Sequence, residues 1–442
     1  MNLLQDSIKN TYFKYLGAAF GSALISSIYS IVDMAMVGQY QGPAGTAALA
    51  VVAPIWNLIY SLGLLTGIGG SVLLAQAKGR GDKREQNQYF TVAVVLTALL
   101  AALCWIAIVF FDTEMLRFFG AEALLLPLAK EYLGPVKYVI PAFLLNQMFA
   151  AFLRNDHAPG LATAAVLAGG IFNVFGDYYF VFSLDMGIKG AGLATAMGAM
   201  ITFLVMLTHF LSSRNTLKLL PPTQGWKKAG KVFQIGFSTF IIDAAMGVLT
   251  ILFNRQIMNN LGTNALSVYG VMVNISTIVQ CCAYSVGQAG QPILSVNFGG
   301  GNWERVREAL KYMILTAIFF GVVWTACIFL FPNGFIRIFM NATEEILQIA
   351  PGIMRTYGIS FLLLPFNVFS TFYFQSVMHP GISFLIASAR GMLVSGALIY
   401  LLPAVLGAEA IWLTMPVTEF LMMVFVALEM LRVNQKIGLG QN

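Results

Sequence analysis

Long apolar runs separated by short polar segments dominate the 442-residue chain, and they recur in register. Hydrocarbon about 30 Å thick needs some 20 apolar residues of helix to cross it, and about twelve runs qualify. They lie at roughly 13–38, 45–77, 89–111, 125–153, 158–183 and 190–211, then at roughly 232–258, 264–297, 311–331, 346–378, 381–403 and 408–431. Displaced by about 220 residues, the chain falls on itself: residues 77–85 (AKGRGDKRE) lie over residues 297–305 (NFGGGNWER). The same ungapped register pairs Val51 with Val271, Ile55 with Ile275, Gly67 with Gly287, Gly70 with Gly290, Arg117 with Arg337 and Phe119 with Phe339. A duplicated chain with an even number of spans per half enters the membrane twice from the same side, so the repeats are parallel. The expectation is an all-α polytopic membrane protein of twelve transmembrane helices in two six-helix bundles. The first bundle covers residues 1–211 and the second 231–442. Residues 212–230 (SSRNTLKLLPPTQGWKKAG), polar and basic with Pro221 and Pro222, read as a linker between them. Interior prolines at 54, 141, 292, 365 and 416 are the expected kink sites.

Composition agrees with this arrangement. The chain is 58% hydrophobic and only 10% charged, with a mean hydropathy of +0.78, whereas a soluble domain carries roughly 25% charged residues. The polar opening MNLLQDSIKN lacks the short apolar segment and small-residue cleavage site of a signal peptide. Lysines and arginines crowd one set of loops and tails, including Lys9, Lys14, Lys78, Arg80, Lys83, Arg84, Lys227, Lys228, Arg305, Arg307 and Arg432. The opposite set holds only Arg117, Lys189 and Arg337. By the positive-inside rule both termini are cytoplasmic, and this sidedness accounts for the net charge of +6 without a nucleic-acid partner.

No GxxxxGK[ST] phosphate loop occurs and all other loops are short. An enzyme or ATP-driven machine is therefore not expected, and energy would come from an ion gradient or from the substrate's own gradient. Cys104, Cys281, Cys282 and Cys327 all fall within spans without metal-ligand spacing to a histidine, which reads as apolar packing. His157 and His379 sit in matching turns, DHAPG and MHPG, where turn chemistry explains them.

Acids inside apolar runs carry the strongest functional signal, because a carboxylate at the centre of a span costs about 2.5 to 3.5 kcal/mol on insertion scales. Four qualify: Asp33, Asp177, Asp243 and Glu419. Asn173 and Asp177 are four apart and share a helical face. At about 1.5 Å per residue, Asp33, Asp177 and Thr195 each lie roughly 8 to 9 Å below the outer ends of their spans, so three helices offer oxygen ligands at one level. Helix-to-helix hydrogen bonding is the alternative role for such groups. Neither Asp33 nor Asp177 has a basic residue in the outer half of its own span, which makes a proton or a metal cation the natural partner. In the second half, Asp243 and Glu419 either line a cavity that attracts cations or pair with Arg255, Arg355 or Arg390.

The segments DMAMVG (33–38), NVFGD (173–177) and GAGLAT (190–195), with the length, the span count and the central linker, resemble the multidrug and toxic compound extrusion (MATE) family, most closely its DinF-like bacterial branch. The resemblance covers essentially the whole chain. It implies a V-shaped pair of six-helix lobes in the bacterial inner membrane, a monomer in lipid that exports small, often cationic organic compounds in exchange for protons or sodium. By resemblance Asp33, Asn173, Asp177 and Thr195 fall on the amino-lobe cation positions, with sodium at Asp33, Asn173 and Asp177 the one metal considered. Independently of the resemblance, Asp243, Glu419, Met36 and Arg255 are the candidates for the substrate cavity. No organic cofactor is implied. The first span lacks the bend-forming proline of some relatives, and Gly17 and Gly21 are left to supply flexibility. Two alternatives remain. A flippase for lipid-linked sugars of the same superfamily would need Arg255, Arg355 and Arg390 to converge on a phosphate, and a channel or receptor would lack coupled transport.

Overall fold

The computed structural model describes residues 3–119, 121, 125–339 and 343–439. These are helical almost throughout, and no strand occurs among them. The helices are α1 (Ile8–Gly79), α2 (Lys83–Phe118), α3 (Leu125–Val136), α4 (Ile140–Asn155), α5 (Pro159–Asp177) and α6 (Gly187–Leu207) in the first repeat. The second repeat holds α7 (Gly225–Asn260), α8 (Gly262–Gly299), α9 (Trp303–Leu330), α10 (Pro332–Phe339), α11 (Glu344–Gly358), α12 (Ser360–Ser376), α13 (Pro380–Ser388), α14 (Val394–Leu406) and α15 (Thr414–Leu439). Eleven of the described helical stretches are long and apolar enough to cross a membrane. The protein is an all-α, multi-pass membrane protein.

Three interruptions lie just before expected prolines, the 3-10 turn Lys137–Val139 before Pro141, the α11–α12 junction at Ile359 before Pro365 and the 3-10 segment Ala408–Leu413 before Pro416, and two breaks lie elsewhere. α1 breaks at Gly42 (φ 65°, ψ −154°), a conformation open to glycine because it lacks a Cβ, just before Pro43, which disfavours helical geometry in its predecessor. α2 departs from helix at Phe111 (φ −123°, ψ 25°). Pro54 and Pro292 lie inside α1 and α8, away from any such break. Pro141 and Pro416 sit in the first turns of α4 and α15, where a missing N–H costs no intrahelical bond.

The duplication extends to backbone geometry. Left-handed glycines recur at the repeat spacing: Gly42 with Gly262, Gly81 with Gly301, and Gly187 with Gly407. His157 (φ 62°) matches Met378 (φ 61°) in the turns before α5 and α13, consistent with a turn role for this histidine. Each repeat also carries a π-helical turn in its fifth span, Tyr178–Ser183 and Ala389–Leu393. One hydrogen bond is duplicated: Asn146 Nδ2 donates to the Ala199 carbonyl at 2.9 Å, and Asn367 Nδ2 to the Glu419 carbonyl at 2.8 Å.

The chain divides into two compact units, Met1–Gln5 with Gly17–Phe240, and Asp6–Leu16 with Ile241–Asn442. In the first, helices approach closely through small residues, the packing that lipid-embedded helices favour in place of hydrophobic burial. A Cβ on Gly169 would lie 2.0 Å from Thr202 Oγ1 and 2.4 Å from the Gly198 carbonyl, so α5 and α6 touch at backbone distance. In the second, the start of α1 is held by Tyr12 stacked on Tyr312 at 6.3 Å and by Arg305 Nη2 donating to the Asp6 carbonyl at 2.6 Å. Its core centres on Phe253, Tyr269, Tyr357, Phe361 and Trp412.

The segment between the repeats is strapped to the first unit rather than free. Alternate backbone N–H groups of the strap are captured by side chains: Thr216 by Asp156 Oδ2 (2.9 Å), Lys218 by Asn87 Oδ1 (2.7 Å) and Leu220 by Thr91 Oγ1 (2.8 Å). Gln88 Nε2 adds a bond to the Pro221 carbonyl at 3.1 Å. Asn87 and Thr91 are one helical turn apart on α2 and so present a ladder to an extended chain. Asp156, fully buried in the turn between α4 and α5, anchors this region. Burial alone would raise its carboxyl, but hydrogen bonds from His209 and Thr216 and the charge of Lys78 outweigh it and hold the pKa at about 2.

Candidate functional site

Four helices of the first unit bring the membrane acids together. Asp33 lies on α1 before the break at Gly42, Tyr132 on α3, Asn173 and Asp177 on the last turns of α5, and Thr195 on α6. The Tyr132 hydroxyl donates to Asp33 Oδ2 at 3.1 Å and lies 3.4 Å from Thr195 Oγ1. Asn173 Nδ2 donates to the same Thr195 oxygen at 3.1 Å. Asp177, one turn beyond Asn173, lies close enough to Asp33 for their charges to interact. It is the residue at which α5 gives way to the π-helical turn, a distortion common at functional sites.

Burial makes the arrangement costly as it stands. Asp177 is fully buried, and Asn173 and Tyr132 are 3% exposed. Four oxygens here, Asp33 Oδ1, Asn173 Oδ1 and both carboxylate oxygens of Asp177, have no hydrogen-bond partner among the described residues. No ion pair reaches Asp33 or Asp177 among the described residues. Orphaned buried acceptors of this kind call for a donor or a cation. The donor set is all oxygen, two carboxylates with an amide and two hydroxyls, which suits a hard cation or a proton rather than a thiolate-seeking or imidazole-seeking metal. Consistent with this, no cluster of three or more His, Cys, Asp or Glu occurs among the described residues.

Of the four residues expected from sequence, Asp33, Asn173 and Thr195 are joined through hydrogen bonds and Tyr132, and Asp177 lies one helical turn from Asn173. Tyr132, the hub between Asp33 and Thr195, was not anticipated. It lies on the short helix α3 (LLPLAKEYLGPV), where a phenol reads as ordinary interfacial or core filler.

The second-repeat candidates do not assemble in this way. Glu419 is fully buried and closed off: Arg390 Nε donates to its Oε1 at 2.6 Å, and Asn367 Nδ2 donates to its Oε2 at 2.6 Å. Arg255 is exposed and Met36 half-buried, and the Asp243 side chain lies outside those described. Arg355 turns to the Phe329 carbonyl at 3.2 Å, so the three second-repeat arginines have separate environments. None of the four cysteines forms a disulfide among the described residues, and Cys282 is buried.

Comparison with known proteins places this geometry in context. Among solved structures, the outward-facing conformation of a multidrug resistance MATE family transporter of the MOP superfamily superposes with a TM-score of 0.90 at 20% identity, covering 99% of this chain and 97% of that one. A MOP superfamily transporter from Pyrococcus furiosus, described as having a binding pocket of reverse polarity, superposes with a TM-score of 0.89 at 18% identity, covering 100% and 98%. In sequence the chain is similar to the multidrug export protein MepA of Staphylococcus saprophyticus, 23% identical over 72% of this chain and 71% of that protein. It is also similar to the probable multidrug resistance protein YoeA of Bacillus subtilis, 22% identical over 77% and 75%. The MatE family model matches twice, at residues 18–179 and 239–401, once per repeat, and the chain belongs to the MatE family.

Proposed function

We propose that this protein is a secondary active multidrug exporter that moves organic, often cationic, compounds out of the cell in exchange for a coupling cation, H+ or Na+, held at Asp33 and Asp177. The names of the MepA and YoeA relatives support export of drugs. The observation that carries the coupling site is the set of four orphaned oxygens buried with two acids and no basic partner. Such a site is stable when a cation or proton bridges it and strained when it is empty, so its occupancy and the conformation of the surrounding helices are linked. Asn173 and Thr195 supply neutral oxygens, and Tyr132 positions the Asp33 carboxylate through Oδ2. Alternating access of the two repeats would follow from this linkage, with both termini and the strap on the cytoplasmic side.

Purified protein in liposomes, with an imposed proton or sodium gradient and a fluorescent organic cation as reporter, tests this proposal. The gradient should drive dye accumulation against its concentration in the wild type and not in the Asp33→Asn, Asp177→Asn double variant. Undiminished accumulation by the double variant would remove the coupling site. Single cysteines at Lys83 and Lys227 should be labelled only from the cytoplasm and one at Gly187 only from outside, and labelling of all three from one side would defeat the topology.

A further inference from the structure

The second unit encloses a chamber of about 50 Å³ between α7, α8, α11 and the π-helical turn Ala389–Leu393, lined among others by Tyr269, Ser276, Gln280, Tyr357, Arg390 and Met415. A single water needs about 10 to 15 Å³ measured this way, so the chamber admits a group of a few heavy atoms. Its rim hydroxyls are spent on their own helices: Ser276 donates to the Met272 carbonyl at 2.7 Å and Thr250 to the Met246 carbonyl at 2.9 Å. Besides the hydroxyls of Tyr269 and Tyr357, two nitrogen-bearing side chains of the lining have donors to spare. Gln280 is 5% exposed, and its Nε2 has no acceptor. Arg390 spends Nε on Glu419, and its terminal Nη groups make no hydrogen bond within the chain.

The charge state of this chamber decides what it can hold. Glu419 already neutralises Arg390, and Asn367 fixes the second carboxylate oxygen, so among the described lining residues the walls offer hydrogen-bond donors but no net positive charge. An incoming carboxylate would add one unbalanced negative charge in a dry interior, where an uncompensated ion is strongly destabilising. An uncharged acceptor satisfies the same donors without that penalty. We propose that the chamber binds an uncharged acceptor, the carbonyl oxygen of an ester or amide on an organic solute, through Gln280 Nε2 and the Arg390 Nη groups, and discriminates against a carboxylate at that place. This inference rests on the export of organic compounds proposed above, but not on the coupling site, since the chamber lies wholly within the second unit.

Equilibrium dye binding to the purified full-length protein, with no ion gradient, tests it. Three dyes that share a xanthylium cation are compared: rhodamine 6G, which carries an ethyl ester; rhodamine 19, the corresponding free acid, a zwitterion when its carboxylate is ionised; and pyronin Y, which lacks the carboxyphenyl ring. The wild type should bind rhodamine 6G more tightly than rhodamine 19. Gln280→Leu removes one neutral hydrogen bond and should weaken rhodamine 6G about fivefold while leaving pyronin Y unchanged. Arg390→Lys keeps a cation opposite Glu419 but loses the Nη fork, and it should show the same selective loss. Should that variant fold poorly, Gln280→Leu decides alone. Equal weakening of rhodamine 6G and pyronin Y, no change for either, or rhodamine 19 bound as tightly as rhodamine 6G would overturn the proposal. Failure of the wild type to bind any of the dyes would count against both this proposal and drug export, whereas loss of gradient-driven transport with selective binding intact would leave it standing.

Discussion

The two repeats share a scaffold and treat buried charge in opposite ways. Asn146 and Asn367 make the same bond to the carbonyls of Ala199 and Glu419, and those two residues hold the same place counted from Gly187 and Gly407. Counted from Pro159 and Pro380, Gly169 matches Arg390. Where the first repeat packs Gly169 and Ala199, the second inserts an arginine and a glutamate that neutralise each other. The first repeat instead carries its acids at Asp33 and Asp177, where the second has Phe253 and nonpolar positions near Leu398. A buried acid with its own arginine is complete, whereas one without must take its partner from outside. The comparison teaches that the depth of an acid in a span says less about its role than whether the fold has already satisfied it.

The largest expected effect breaks the open side of this comparison. Asp177→Asn and Asp33→Asn should each abolish gradient-driven dye transport in liposomes while the protein stays folded and still binds dye. The two losses should not add, because either one dismantles the same site. Additive partial losses would mean that the two acids act independently.

Next comes the closed side. Arg390→Met alone leaves Glu419 buried and unpaired and should destabilise the protein by about 3 to 5 kcal/mol, read as a lowered midpoint of thermal unfolding in detergent. Adding Glu419→Leu should recover most of that loss, because a neutral apolar pair replaces a neutral ionic one. If the double variant is no more stable than the single, the pair does more than balance its own charge.

A smaller effect concerns Asp156, whose charge is satisfied outside the membrane acids. Its carboxyl titrates at about 2 when folded, below the value of about 3.9 for an unfolded aspartate. The unfolded state therefore binds the proton first. This contribution of about 2.6 kcal/mol is present above the unfolded value of about 4 and is lost as the pH falls through about 2. Asp156→Asn should lower stability at neutral pH and flatten that part of the acid unfolding curve. An unchanged curve would show that the strap is held by its other bonds.

The smallest effect sharpens the role of the unanticipated hub. Tyr132→Phe removes one hydrogen bond to Asp33 and should weaken the coupling cation about fivefold, measured as the ion concentration for half-maximal transport, without loss of coupling. A complete loss would place Tyr132 among the essential ligands.

Sequence made much of this legible, and particular residues show where it stopped. Asn173 and Asp177 could be placed on one face by their spacing, and Asp33 and Thr195 at the same depth by counting along helices of fixed rise. Tyr132 could not, because a tyrosine near a membrane interface is ordinary and its partner is distant in sequence. Glu419 was left open between cavity wall and ion pair, and the geometry supplied Arg390. Kinks were expected at prolines, and interruptions do precede Pro141, Pro365 and Pro416, but Pro54 and Pro292 lie in unbroken helix and two further breaks fall at Gly42 and Phe111, since a proline among compensating neighbours need not break a membrane helix.

By itself the chain determined its class, its duplication and the rough levels of its acids, because hydrocarbon fixes helix length and admits little backbone outside helices. Only the tertiary structure decided which acids are satisfied, which polar segment is strapped down and which donors face an empty chamber. Those outcomes depend on pairs such as Asp33 with Tyr132 and Glu419 with Arg390, whose members lie on different helices and meet only when the helices pack.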